Sequence, residues 1–158
     1  MPGYFVKKTK PILIIVLFGL YLAILMKLLV FRYSSTAIFN FSGSNFIPFK
    51  TITSYLSNPA LLGVALRNLL GNIFIFIPLG IFIPLFRPSS KWKIILITGL
   101  VISSIMGIIQ GIFKVGVFDV DDIMLNGLGT LLGYGFFVLC KMLLSFKNKP
   151  SPVDQSRQ

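Results

Sequence analysis

The 158 residues hold 15 Lys and Arg against 4 acidic residues, a formal net charge of +11, and no His. The chain is 55% hydrophobic and 12% charged, with a mean hydropathy of +0.88. Soluble domains carry about a quarter charged residues, so lipid is the solvent for most of this chain, and its length allows one domain.

The absence of His and Glu excludes most zinc sites, Ser-His-Asp triads and paired-Glu hydrolases. The single Cys140 forms no internal disulfide and says nothing about redox compartment. A basic chain raises the question of nucleic acid. Here the cations flank apolar segments instead of clustering on a soluble face, so no nucleic-acid partner is expected. Flanking Lys and Arg are the signature of membrane topology and anionic lipid contact.

In chain order, residues 1–10 form a basic N-terminus with Lys7, Lys8 and Lys10. A first apolar segment runs from Pro11 to about Phe31. It is too long for a signal peptide and is followed by no small-residue cleavage site, so it reads as an uncleaved anchor. Residues 32–67 hold Tyr33, Phe39, Phe41, Phe46, Phe49 and Tyr55 among Ser, Asn and Pro. Aromatics at this density favour the membrane–water interface, so a partly buried loop packed on the helix ends is expected.

The second span is expected from about Asn68 to Phe86, with Pro78 and Pro84 kinking or ending it. The third is expected from about Lys93 to Phe113, and the fourth from about Ile123 to Leu144. Each meets the roughly 20 apolar residues that a membrane-crossing helix needs. The fold class expected is an all-α membrane protein, a bundle of four transmembrane helices over residues 11–145. An aromatic-rich interfacial loop joins helices 1 and 2, and a disordered tail occupies 146–158.

The Lys/Arg bias sets orientation. Lys7, Lys8, Lys10, Arg87, Lys91, Lys93, Lys147, Lys149 and Arg157 fall on one side, against Arg32, Lys50, Arg67 and Lys114 on the other. Lys27 and Lys141 lie near helix ends and can snorkel to the headgroups. Both termini are therefore expected in the cytoplasm of a multi-pass cell-membrane protein.

Three of the four acidic residues, Asp119, Asp121 and Asp122, stand within four positions; the fourth, Asp154, is in the tail. They precede the fourth span on the outer side. Asp119 or Asp121 can cap that helix, and Asp122 favours the positive end of its dipole. Capping needs one or two carboxylates and leaves a third unexplained. Lys114 or Arg67, a bound cation or a cationic ligand group can neutralise the cluster. The spacing is not that of an EF-hand, and no metal or other cofactor is assigned. Within the trio, Asp119 and Asp122 are expected to line a pocket, with Asp121 nearer a capping role.

Asn68 and Asn72 lie one turn apart near the outer end of span two. Gln110 is near the outer end of span three, and Asp122 and Asn126 are one turn apart at the outer end of span four. These groups share one membrane level and are expected to meet. They form either an interhelical hydrogen-bond clasp or a ligand site. Gly99, Ser103, Gly107 and Gly111 recur every four residues on span three, and Gly129 and Gly133 form a GxxxG pair on span four. Such stripes permit close helix approach and are expected to bring spans three and four together.

In this order the motifs resemble the VanZ-like family of small bacterial membrane proteins. The matching stretches are Asn45-Phe46-Ile47-Pro48-Phe49, Asn68 to Gly80, Gln110, Phe118-Asp119-Val120-Asp121-Asp122, Asn126, and Gly129 with Gly133. They cover about residues 45 to 135. Similar proteins commonly carry a Glu three positions before the Gln, where this chain has Gly107. The departure removes the acid–base group that the pattern would place there. The family's namesake is associated with resistance to the glycopeptide teicoplanin.

The resemblance implies a non-enzymatic protein that lowers susceptibility to such antibiotics. It would bind membrane lipid and a lipid-linked cell-wall precursor or the lipoglycopeptide itself. A second reading is a membrane enzyme modifying a lipid-linked headgroup with Asp119, Asp121 or Asp122 as base or metal ligand. Dependence of activity on a divalent metal would separate the two. A third, a small transport or assembly subunit, has neither an inverted repeat nor a charged mid-membrane path to support it.

Overall fold

The computed structural model describes residues 3–30, 44–113 and 116–147. Over these residues the chain is helical, with helices α1 (Gly3–Val30), α2 (Lys50–Leu56), α3 (Leu62–Phe86), α4 (Trp92–Phe113) and α5 (Val120–Lys147). Four of them carry stretches long and apolar enough to cross a membrane: Pro11–Leu28, Pro59–Phe86, Trp92–Phe113 and Val120–Ser145. Long apolar side chains from Ile12 on α1 to Leu144 on α5 stay exposed on their outer faces. That is the surface of a multi-pass membrane protein. Three hydroxyls within the spans are satisfied locally: Thr98, Ser104 and Thr130 each donate to the carbonyl four residues back, a pairing that keeps polar groups satisfied in lipid.

The second membrane helix starts earlier than expected. Asn58 accepts the Ala60 amide at 3.1 Å, and Pro59 occupies the first position of a short 3-10 turn, Pro59–Leu61, that runs into α3. An Asn-Pro start signal was therefore present, because Pro lacks the amide that a helix start leaves unused. Arg67 and Asn68 thus lie inside the helix. Pro78 and Pro84 sit within the continuous α3 and do not end it. Tyr21 of α1 donates to the Ile75 carbonyl at 3.0 Å, one turn before Pro78.

The aromatic-rich segment is only partly described. Residues 31–43, with Tyr33, Phe39 and Phe41, lie outside the described residues, as do Lys114 and the tail from 148 onward. Ser44 to Phe49 lead into α2, which rests against α3 and α5. Phe49 takes a left-handed backbone, φ 66°. For a non-glycine residue this costs about 1–3 kcal/mol. It persists because the Asp121 carboxylate holds the Phe49 amide.

Glycines set the helix pairing. A Cβ at Gly129 would collide with the Ile73 carbonyl, one at Gly133 with the Ile77 carbonyl, and one at Gly80 with the Thr130 carbonyl. The GxxxG pair therefore joins α5 to α3, not to α4. The expected contact of the third and fourth spans does exist, through other residues. Gly99 faces the Thr130 side chain, and Gly127 faces Leu96 and Leu100. A Cβ at Gly111, at the end of the predicted stripe, would meet nothing within 4 Å. α1 packs on α3 through rings: Phe18 lies 5.2 Å from Phe82 and 5.1 Å from Phe86. Leu25, Phe76, Leu79 and Met106 form the buried apolar core between α1, α3 and α4.

Gly129→Ala or Gly133→Ala is expected to destabilise the bundle by about 3 kcal/mol, the upper end of overpacking costs. Gly63→Ala and Gly71→Ala, where an added Cβ meets nothing within 4 Å, are expected to cost nothing and to serve as controls. Thermal unfolding of the purified protein in detergent measures the difference.

Candidate functional site

The Asp run lies where the chain turns from α4 into α5, and each carboxylate has a different task. Asp119 immediately precedes α5, and its Oδ1 accepts the Asp121 amide at 2.9 Å. This is the geometry of a helix N-cap. The same side chain accepts from Asn45 Nδ2 at 2.9 Å and from Thr51 Oγ1 at 2.6 Å. Backbone bonds from the Asn45 amide to the Phe118 carbonyl, 2.9 Å, and from the Val120 amide to the Asn45 carbonyl, 3.0 Å, make a short bridge beside it. Phe46 stacks on Phe118 with ring centroids 5.3 Å apart.

Asp121 is 1% exposed. Its Oδ1 accepts the Phe49 amide at 2.5 Å, and its Oδ2 accepts the Thr51 and Ile52 amides at 2.8 and 3.2 Å. These are the orphan amides at the start of α2. Asp121 thus caps a helix about seventy residues away in sequence, not its own. It stands at the positive ends of both α2 and α5. The capping role foreseen for Asp121 is present, on a different helix, and the cap of α5 falls to Asp119.

Asp122 turns to α3 and accepts a hydrogen bond from Asn72 Nδ2. Asn72 is 1% exposed. One turn along α5, Asn126 donates through Nδ2 to Ser103 Oγ of α4 at 2.7 Å. Asn126 is 5% exposed, and its Oδ1 is buried without a hydrogen-bond partner. Leaving such an atom unsatisfied costs about 1–3 kcal/mol.

Between these groups is a small cavity of about 20 Å³, lined by Asn72, Ser103, Met106, Gly107, Gln110, Val117, Asp119, Asp122, Ile123 and Asn126. Gln110 lies against the buried Gly116, where a Cβ would stand 3.2 Å from it. Gly107 leaves room for the Phe118 ring, which an added Cβ would approach at 3.1 Å.

Of the residues expected to cluster, Asn72, Gln110, Asp119, Asp122 and Asn126 line the cavity. Asn68 does not. Its Nδ2 donates to Tyr55 Oη at 2.9 Å, tying α2 to α3. Asp121 is likewise outside the lining. Asn45, Thr51 and Ser103 escaped the sequence reading as site residues. Ser103 had a usable signal: it lies seven residues before Gln110, on the same helix face. Asn45 stood in a motif of the family resemblance, but nothing local named its partner or that of Thr51, because Asp119 lies across the fold. Among the described residues, no three His, Cys, Asp or Glu side chains converge as metal ligands do.

Asp121→Ala is expected to strip three amides of their acceptor and to lower stability by about 3 kcal/mol or more. Asp121→Asn, with one acceptor oxygen in place of two, is expected to fall between. Proteolysis confined to residues 44–61, measured beside thermal unfolding, distinguishes release of α2 from general unfolding.

A family model described as VanZ/LLP1 matches residues 18–141, which include every residue lining the cavity. Among curated proteins, the chain is 29% identical over 133 residues to Protein VanZ of Enterococcus faecium, covering 78% of this chain and 72% of that protein. No solved structure matches. The family match runs from α1 into the last turns of α5, well over half of the chain, and this protein belongs to the VanZ/LLP1 family.

Proposed function

We propose that this chain acts at the extracytoplasmic face of the cell membrane. There it lowers susceptibility to glycopeptide antibiotics such as teicoplanin, by binding or altering a lipid-linked cell-wall precursor or the drug. The observation that carries the reading is the cavity. Carboxylates, amides and a hydroxyl from α3, α4 and α5 converge at one end of otherwise apolar helices. Polar groups in membrane helices are costly, and where they surround a cavity they favour a ligand site. The likeness to Protein VanZ of Enterococcus faecium supports the direction of the proposal.

Binding is favoured over catalysis. Asp121 is committed to capping α2 and Asp119 to capping α5, and Gly107 brings no acid–base group to the lining. Orientation rests on the cation bias, which places α2 and the Asp run outside and the α3–α4 turn inside. The interfacial position of the aromatic segment is part of the same proposal. Phe46 and Phe49, 63% and 55% exposed, would sit among headgroups.

Two experiments test this. In a Cys140→Ala background, an impermeant maleimide on intact cells is expected to label Lys50→Cys, and to label Lys91→Cys only after permeabilisation. The reverse pattern overturns the orientation. In cells expressing the protein, Asp122→Asn is expected to return the inhibitory teicoplanin concentration to that of cells lacking it, with membrane protein level unchanged. Full resistance in that variant at normal level removes Asp122 from the function. Loss of level in step with resistance assigns the Asn72–Asp122 bond to holding the bundle together.

A further inference from the structure

The proposed function leaves open what chemistry the cavity recognises, and the state of Asn126 narrows it. Asn126 is only 5% exposed, with Nδ2 engaged by Ser103 and Oδ1 without a partner. It lines a space of about 20 Å³ together with Asp119, Asp122 and Gln110. A buried carbonyl oxygen of this kind calls for a hydrogen-bond donor. At about 20 Å³ the space has room for a small polar head, since a single water needs about 10–15 Å³.

The neighbouring groups define the donor further. Two carboxylates line the same space, and an ionised carboxylate accepts but does not donate. A group entering beside them is therefore favoured if it is positive as well as a donor. A multivalent metal is a poorer fit, because no three His, Cys, Asp or Glu side chains converge among the described residues, and hard divalent cations take six or more oxygen ligands. A primary ammonium has three donors and no acceptor. It matches a lining with Asn126 Oδ1 and Asp122 around one small space, where Asp119, already engaged by Asn45, Thr51 and the Asp121 amide, adds negative charge. Val117 and Asp119 belong to the segment leading into α5, so the space sits at the mouth of the bundle and not at its middle.

We propose that this cavity binds a primary ammonium group, with Asn126 Oδ1 as its buried acceptor and the Asp122 carboxylate as its charge partner. The inference rests on reading the cavity as a ligand site and names the chemistry that it selects. The ammonium comes either from a phospholipid headgroup lying beside the helix ends or from an amine arriving in water.

The test uses the full chain in nanodiscs of phosphatidylcholine, with the Asn126 side-chain amide followed by nuclear magnetic resonance and assigned by its loss in Asn126→Leu. Ethylammonium is the probe. The signal is expected to shift saturably with ethylammonium and to stay unmoved by tetramethylammonium, which has the charge but no donor. Asp122→Asn is expected to weaken ethylammonium at least about tenfold, the equivalent of one charge-assisted hydrogen bond. Nanodiscs of phosphatidylethanolamine separate the two sources. A signal already shifted there, and insensitive to added ethylammonium, identifies the headgroup. The same response in both lipids identifies a soluble amine.

Equal shifts with both cations, or no shift with ethylammonium in the unaltered protein, overturn the proposal without needing any variant to fold. A shift in Lys114→Ala alone assigns the space to the chain's own lysine and overturns it too. If Asp122→Asn loses resistance while ethylammonium never binds, the functional reading stands and the ammonium inference fails by itself.

Discussion

The close approach of α3 and α5 is the constraint on which the site depends. Side chains keep most packed helices about 8–10 Å apart. Here Gly129, Gly133 and Gly80 present bare backbone to the Ile73, Ile77 and Thr130 carbonyls, with no room for a Cβ. That contact sets Asn72 against Asp122 at the end of the pair. In lipid no hydrophobic force draws helices together, so shape fit between small residues decides which ones touch. α4 then closes the third side. Gly99 lies against Thr130, and Ser103 takes the Asn126 amide.

A chain with so few acidic groups uses three of them to finish its fold as well as to line a cavity. Asp119 accepts one orphan amide of α5, that of Asp121, and clasps Asn45 and Thr51. Asp121 does the same for α2 and holds Phe49 in its left-handed conformation. A helix of seven residues has little stability by itself. An ionic acceptor for two of its amides and for that of the preceding Phe49 accounts for its presence at the end of the bundle. α2, which has no buried residues, is thus anchored to α5 by hydrogen bonds more than by apolar burial.

The cavity is an outcome of this division. Asp122 and Asn126 lie one turn apart on α5, and each reaches a different neighbour, Asn72 of α3 and Ser103 of α4. Two helices pulling on successive turns leave a space between them. Gly107 and Gly116 let the Phe118 ring and the Gln110 side chain pack close beside it. Asn72, Gln110, Asp119, Asp122 and Asn126, which line the cavity, all fall within the motifs of the family resemblance.

Four spans were legible because apolar runs of that length have one stable use in a bilayer, and local chemistry suffices to find them. The shared depth of Asn72, Gln110, Asp122 and Asn126 was also legible, because helical rise converts sequence position into height. Partner choice was not. The glycine stripe on α4 and the GxxxG pair on α5 carry the same local signal. Only the packed bundle decides that Gly129 and Gly133 meet α3. Sequence spacing by itself determined a membrane protein with its polar groups gathered at one end. The tertiary structure decided that Asp121 caps a distant helix, that Asn68 clasps Tyr55 away from the cavity, and that Asn126 keeps a buried oxygen without a donor. The physical reason is that hydrogen-bond partners more than a few turns apart are chosen by which helix faces meet, and no local pattern records that choice.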